Sequence, residues 1–209
     1  MEWAGRTQAV LVRRITGLLI AANVIVFLLQ LQHPDALLVR YALWPMGAHD
    51  VPDLGHVAFQ PWQLVTSAFL HGGFAHLFLN MFALWMFGRD CERVLGAARF
   101  LALYSCAVLS AALTQLAVAS LADAAYPTVG ASGGVFGVLL AFGMLFPDRR
   151  IMLLFPPIPM PAWLFVTLYG LAELANGVLG TFAGVAHFAH LGGMLGAWLL
   201  LRYWRAQAH

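Results

Sequence analysis

Hydrophobic positions along this chain gather into long unbroken runs rather than alternating with polar ones. Six runs stand out, near 15–31, 73–88, 98–120, 132–147, 161–180 and 185–201. A helix rises about 1.5 Å per residue, so about 20 apolar residues cross a hydrocarbon core of about 30 Å. The pattern predicts an all-α polytopic membrane protein, a bundle of six transmembrane helices. The second and fourth runs are short or glycine-rich, and hydropathy alone does not fix their number. The segment 33–70 is the one long connection. It carries Trp44, Phe59, Trp62 and several prolines, and aromatics of this kind sit well at lipid headgroup level. It reads as an interfacial loop, with a part in substrate access as the sharper alternative. No flexible linker, charge block or low-complexity tract divides the chain, so residues 1–209 are expected to form a single transmembrane domain.

Charge supplies an independent count of the spans. All eleven basic residues are arginine. With six spans and the amino terminus inside, Arg6, Arg13, Arg14, Arg89, Arg93, Arg99, Arg149, Arg150, Arg202 and Arg205 share one side, and only Arg40 lies on the other. Cytoplasmic loops are enriched in Lys and Arg, so both termini are expected in the cytoplasm. Composition agrees, with 62% of residues hydrophobic and 10% charged, far from the balance of a soluble domain. The first run lacks a small-residue cleavage site and reads as a retained span. A compact chain without an evident transit peptide points to a multi-pass protein of a bacterial inner membrane. Cys91 and Cys106 have neither a disulfide framework nor zinc-site spacing. The net charge of +2 follows from topology, and no basic patch suggests nucleic acid.

Polar side chains inside apolar spans are costly and usually face a bundle interior or a watery cavity. Span two begins after His71 and carries His76 and Asn80; span four opens with Ser132; span five contains Glu173 and Asn176; span six carries His187 and His190. Counted up from the cytoplasmic arginines, His76 stands roughly 20 Å above Arg89, Ser132 roughly 25 Å above Arg149, and His190 roughly 18 Å above Arg202. Asn80 is one turn below His76 on the same helix face. These groups share a layer in the outer half of the membrane. Small residues let helices approach closely in lipid. Gly133, Gly137 and Ala141 on span four, with Gly192, Gly193, Gly196 and Ala197 on span six, would bring Ser132 to His190.

A serine hydroxyl becomes a useful nucleophile when a neutral histidine takes its proton. The expected arrangement is a Ser132–His190 dyad, with His76, Asn80 and the Ser132 backbone N–H as oxyanion donors. Phe136, one turn below Ser132, would orient the imidazole by packing. No carboxylate is expected beside the histidine, and Glu173 reads as a protonated group bonded within the bundle. His187 stands three residues before His190, nearer the aqueous edge. Each residue also has a plainer reading: Ser132 as a helix N-cap, His71 as an interfacial histidine. Gly130-x-Ser132-x-Gly134 matches the hydrolase nucleophile elbow, but that motif needs a strand and a soluble sheet around it. Three other functions compete: a non-catalytic membrane protein that binds or escorts others, a metal or haem site, and a transporter. The missing H-E-x-x-H helix and the expected lack of a nearby carboxylate weigh against metal; the lack of an inverted repeat weighs against transport.

Four separated motifs make the chain resemble the rhomboid intramembrane serine proteases over roughly residues 15–201. "HGGFAHLFLNMFAL" is similar to the family's second span, with His71, His76 and Asn80 in its H-x-x-x-x-H-x-x-x-N pattern. "GRDCERVLG" resembles the short connection in which Glu92 and Gly96 recur. "GASG", Gly130 to Gly133, is the G-x-S-G motif, and "AHLGGMLG" from Ala189 is the histidine motif. The resemblance implies Ser132 as nucleophile, His190 rather than His187 as base, and His76 and Asn80 in the oxyanion hole. It further implies a six-span bundle open to the outside, span five as a lateral gate, no cofactor, and membrane-anchored proteins as substrates within the lipid bilayer. The chain departs from the family at Trp62-Gln63, where Trp-Arg is frequent, and at Phe136, where tyrosine is frequent.

Overall fold

The computed structural model describes residues 14–121, 126–152, 157–181 and 185–207. Helix α1 (Arg14–Gln32) is followed by α2 (Pro34–Tyr41), then by an antiparallel hairpin of β1 (Ala48–Val51) and β2 (Gly55–Ala58) with Ala48 opposite Ala58. Short α3 (Gln63–Thr66) tightens into a 3-10 turn, Ser67–Phe69. Helix α4 (Phe74–Ala83) passes through a π-helical turn, Leu84–Gly88, into α5 (Arg89–Leu95). Then come α6 (Ala97–Leu121), α7 (Ser132–Leu145), strands β3 (Arg150–Met152) and β4 (Pro159–Pro161), α8 (Ala162–Leu179) and α9 (His187–Ala206).

Every apolar run of the sequence holds a helix. Among the described residues, however, only α1, α6 and α8 are long and apolar enough to cross a membrane unaided. The pair Gln63–Phe69 and Phe74–Leu95 passes together, bent by 98°. Helix α7 has only 14 residues, but ten of them are buried. A helix sheathed by its neighbours meets little lipid and needs no long apolar run. The fold is mostly helical rather than purely so, since two small hairpins flank the bundle.

The segment expected as an interfacial loop is folded, and Gln63 is its anchor. That side chain is fully buried. Its Oε1 accepts from the backbone N–H of Trp44 at 3.2 Å and of Gln60 at 3.1 Å, while its Nε2 donates to the carbonyls of Arg40 and Ala58 at 3.4 Å. Trp62 Nε1 adds a bond to the Arg40 carbonyl at 3.0 Å. The glutamine that stands where arginine is frequent thus ties four backbone positions of the loop together.

At the other end of the bundle, buried Glu92 reaches across to the start of α1. Its carboxylate accepts from the backbone N–H groups of Ile15 and Thr16 at 2.9 and 3.0 Å, and from the Thr16 hydroxyl at 2.7 Å. The first N–H groups of a helix have no partner of their own, so Glu92 caps α1 from a distant part of the chain.

Helices α6, α7 and α9 meet through small residues. A Cβ at Gly137 would strike Ala107 of α6 and come within 3.0 Å of the Gly193 carbonyl of α9; a Cβ at Gly193 would strike the Gly133 carbonyl. The two small-residue stripes of α9 face different partners. Gly193 and Ala197 press on α7, whereas Gly192 meets Thr114 and Gly196 meets Ser110, both on α6.

Candidate active site

Helix α7 begins at Ser132, and its N-cap position is Ala131, with no side-chain capping bond. The serine hydroxyl is therefore not used as a cap. Its partner is His190, whose Nε2 lies 2.8 Å from Ser132 Oγ. Gly130, at φ +130°, turns the chain into the helix, and its N–H donates to the Ser67 carbonyl at 2.9 Å. At the first helical position the Ser132 N–H has no intrahelical acceptor and remains available as a donor.

The His190 ring lies against Phe136, with centroids 4.2 Å apart and planes 6° from parallel. Phe136 in turn contacts Tyr169 of α8 at 4.9 Å. Residue 136 thus meets the imidazole by its ring face alone, without a phenolic hydroxyl. Gly133 sits beneath the site at the α6–α7–α9 junction, where a Cβ would strike Ala111.

His76 is brought to the same place. A Cβ at Gly130 would lie 2.8 Å from His76 Cε1, 2.9 Å from its Nε2, and 3.6 Å from Ser132 Oγ. The other ring nitrogen, Nδ1, accepts from the Gly72 N–H at 3.3 Å. An imidazole that accepts at Nδ1 carries its proton on Nε2, which puts an N–H donor beside the serine. Asn80 is buried on the same helix, and its Nδ2 donates to the His76 carbonyl at 3.0 Å; the amide's second N–H is free of that bond. His71 is less simple than an interfacial histidine. It is 1% exposed, both ring nitrogens lack protein partners, and its ring meets His76 edge-on at 5.1 Å. Gln30 of α1 clamps its backbone, accepting from the His71 N–H at 3.0 Å and donating to its carbonyl at 2.9 Å.

One expectation is overturned. A carboxylate does stand beside the histidine: Glu173 Oε2 lies 2.8 Å from His190 Nδ1 and 2.7 Å from His187 Nδ1. All three residues are buried. From the sequence Glu173 reads as an isolated group on another span, which leaves the histidines without a carboxylate and weighs against metal. A signal was present. Glu173 lies seven residues before Gly180 and His187 seven after it, so a reversal near Gly180 brings them level. Gly180 makes that reversal in the left-handed region, at φ +66°, which glycine adopts without strain. Among the described residues, Glu173, His187 and His190 form the group able to hold a metal ion, with ligand atoms within 4.8 Å of one another. In the geometry present both Nδ1 atoms lie within hydrogen-bond distance of one Glu173 oxygen.

The arrangement is a hydroxyl against an imidazole, that imidazole against a carboxylate, and N–H donors around the hydroxyl. Such a set can transfer a proton from oxygen to nitrogen and stabilise a developing oxyanion. Comparison with known proteins places the chain in a family. The Rhomboid domain family model matches residues 58–206. Rhomboid protein 1, mitochondrial, of Saccharomyces cerevisiae is 40% identical over 134 residues, covering 63% of this chain and 38% of the yeast protein. The human presenilin-associated rhomboid-like protein, mitochondrial, is 32% identical over 194 residues, 89% of this chain and 47% of its own length. The putative rhomboid protease YdcA of Bacillus subtilis is 29% identical over 188 residues, 85% of this chain and 86% of its own. The chain thus spans less than half the length of these mitochondrial relatives, and with bacterial and mitochondrial proteins both represented the relatives do not select a bacterial inner membrane. On the matched domain and its apolar helices, the chain is a multi-pass membrane protein and belongs to the rhomboid family.

Proposed function

We propose that this protein is an intramembrane serine endopeptidase that cuts membrane-anchored, single-span proteins near the outer face of the bilayer. The observation that carries the reading is the 2.8 Å approach of His190 Nε2 to Ser132 Oγ, made by a serine that caps nothing. Ser132 Oγ attacks the scissile carbonyl carbon while its proton passes to His190 Nε2. The carbonyl π pair moves onto oxygen, where the Ser132 N–H, the Nε2–H of His76 and the free N–H of Asn80 receive it. Collapse breaks the C–N bond, His190 gives its proton to the leaving amine, and an acyl ester remains on Ser132. Water then attacks with its proton going to His190; the second collapse returns that proton to Ser132 and frees the new carboxyl end.

The bundle is proposed to cross the membrane six times with both termini in the cytoplasm, α7 and α9 serving as spans because neighbouring helices shield them. A bacterial plasma membrane is the proposed location. The test is cleavage of a single-span reporter with small, helix-weakening residues at its outer end. Wild type is expected to cut it with chelator present, and Ser132→Ala and His190→Ala to lose at least about 10³-fold in kcat. A folded wild type that cuts no member of a broad reporter panel and whose Ser132 resists a fluorophosphonate would end the protease reading in favour of an escort role.

A further inference from the structure

We propose that Glu173 is an ionised positioning residue that holds His190 as its Nδ1–H tautomer, and that His187, held as an imidazolium, is the cation that keeps Glu173 ionised. The proposal rests on the reading of Ser132 and His190 as nucleophile and base, and extends it from a dyad to a four-residue relay.

Bond counting carries the assignment. Glu173 Oε2 faces two imidazole nitrogens at 2.7 and 2.8 Å. Each is within hydrogen-bond length, and one oxygen can serve both rings when each turns an N–H toward it, an arrangement that the ionised carboxylate holds more strongly than the neutral acid. His187 Nε2 faces another acceptor, the Thr181 carbonyl, at 3.1 Å. With an acceptor at each ring nitrogen, His187 satisfies both bonds only when both nitrogens carry hydrogen, which is the imidazolium. His190 differs. Its Nδ1 faces the carboxylate and its Nε2 faces a hydroxyl, so the neutral ring with hydrogen on Nδ1 satisfies both, and Nε2 is left bare for the serine proton.

Charge balance agrees with the count. A lone buried carboxylate is driven neutral, whereas one paired and hydrogen-bonded is tolerated. His187 and Glu173 cancel, so His190 begins neutral and becomes cationic beside a fixed negative charge as it takes the proton. The other titratable groups around the cluster are Tyr169, one turn from Glu173 on α8, and His76 of α4, whose ring stands beside the Gly130–Ser132 turn. Helix α6 presents uncharged Ser110 and Thr114 to α9. Among the described residues, no other basic side chain besides His187 and His190 bonds Glu173. The positions are also built: Thr181 is fixed by its N–H to the Asn176 carbonyl at 3.1 Å and its Oγ1 to Asn176 Oδ1 at 2.7 Å, which aims the Thr181 carbonyl at His187.

The experiment compares wild type, Glu173→Gln, Glu173→Asp, His187→Gln and the Glu173→Gln/His187→Gln double variant, all as the full chain in detergent. Three readouts are taken: kcat and KM on the reporter, thermal unfolding, and ¹⁵N NMR of histidine-labelled protein with the His190 signals assigned from His190→Ala. Glu173→Gln is expected to stay folded, keep KM, and lose on the order of 10³-fold in kcat, with His190 shifting from the Nδ1–H form to a mixture of tautomers. Glu173→Asp is expected to regain part of both. His187→Gln is expected to lose about tenfold or more in kcat, and the double variant to be no worse than Glu173→Gln alone, because residues that act through one another are not additive. Full kcat in a folded Glu173→Gln, or additive losses in the double variant, overturns the proposal. So does a wild-type His190 protonated on Nε2. The tautomer measurement needs no turnover, so it decides the Glu173 assignment even where the protease reading itself fails.

Discussion

Gly130 shows how much of the site depends on one missing Cβ. Its φ of +130° lies where side chains are rarely tolerated, and a Cβ there would press on the His76 ring at 2.8 Å. Gly130→Ala is therefore expected to displace the His76 donor while leaving the Ser132–His190 bond in place. Loss of one oxyanion donor costs about 10²- to 10³-fold in kcat, and a fall of that size is expected. Fluorophosphonate labelling of Ser132 should slow with it, since the phosphonyl oxygen needs the same donor. Unchanged turnover in a folded Gly130→Ala would remove His76 from the oxyanion hole. At this scale the sequence was informative where residues lay close to a countable landmark. Ser132, His190 and His76 could be placed by their distance from arginines, and Phe136 by one helical turn. Glu173 could not. The nearest preceding arginine, Arg150, lies 23 positions away (173 − 150), beyond a loop of unknown path, and only the reversal at Gly180 gives its level.

Helices α7 and α9 keep the dyad together by touching backbone to backbone. A Cβ at Gly193 would run into the Gly133 carbonyl, which cannot rotate away as a side chain can. Gly193→Ala is expected to push α9 off α7, lowering stability by about 1–3 kcal/mol as overpacking does, and to cost activity beyond that loss by lengthening the Ser132–His190 contact. Gly17→Ala on α1, where nothing lies within 4 Å of the added Cβ, is the control and should be neutral in both thermal unfolding and cleavage. The small-residue spacing that made this contact predictable did not say which stripe of α9 faced which helix, because both stripes have the same composition. Apolar runs also misplaced some ends. The run at 73–88 stops at the charges Arg89, Asp90, Glu92 and Arg93, but the helical backbone continues through a π-turn to Leu95. Charge ends a membrane span; it does not end a helix. The hairpin β1–β2 was invisible for a different reason. Four-residue strands are too short to establish an alternation of period two.

Across the described part of the molecule, the Ser132 site and a group of arginines lie at opposite ends of α7. Ser132 opens that helix, which runs about 21 Å over its 14 residues, and Arg149 stands four positions beyond its last residue, Leu145. Asp90 gathers the basic end into one rim, bonding Arg93 at 2.7 Å and Arg149 at 2.5 Å. Arg99 stacks over Trp204 at 5.7 Å, which draws the carboxyl-terminal end of α9, with Arg202 and Arg205, to the start of α6. Glu92 ties the start of α1 to the same level through Ile15 and Thr16. Arginines separated by up to 116 positions (205 − 89) thus come together in space, and the positive-inside bias is the ground for proposing that this rim faces the cytoplasm. On that proposal the site faces the outside. A membrane-impermeant fluorophosphonate added to intact bacterial cells expressing the protein is expected to label Ser132 in wild type and to leave Ser132→Ala unlabelled. A reporter fused after residue 209 that fluoresces only in the cytoplasm is expected to be bright. Labelling only after the cells are opened, together with a dark reporter, would mean that the molecule sits the other way up. Labelling of intact cells with a dark reporter would mean that the number of crossings between Ser132 and the carboxyl terminus is even, and the six-span count would have to give way, because α7, α8 and α9 as three crossings require the serine and that terminus to lie on opposite sides.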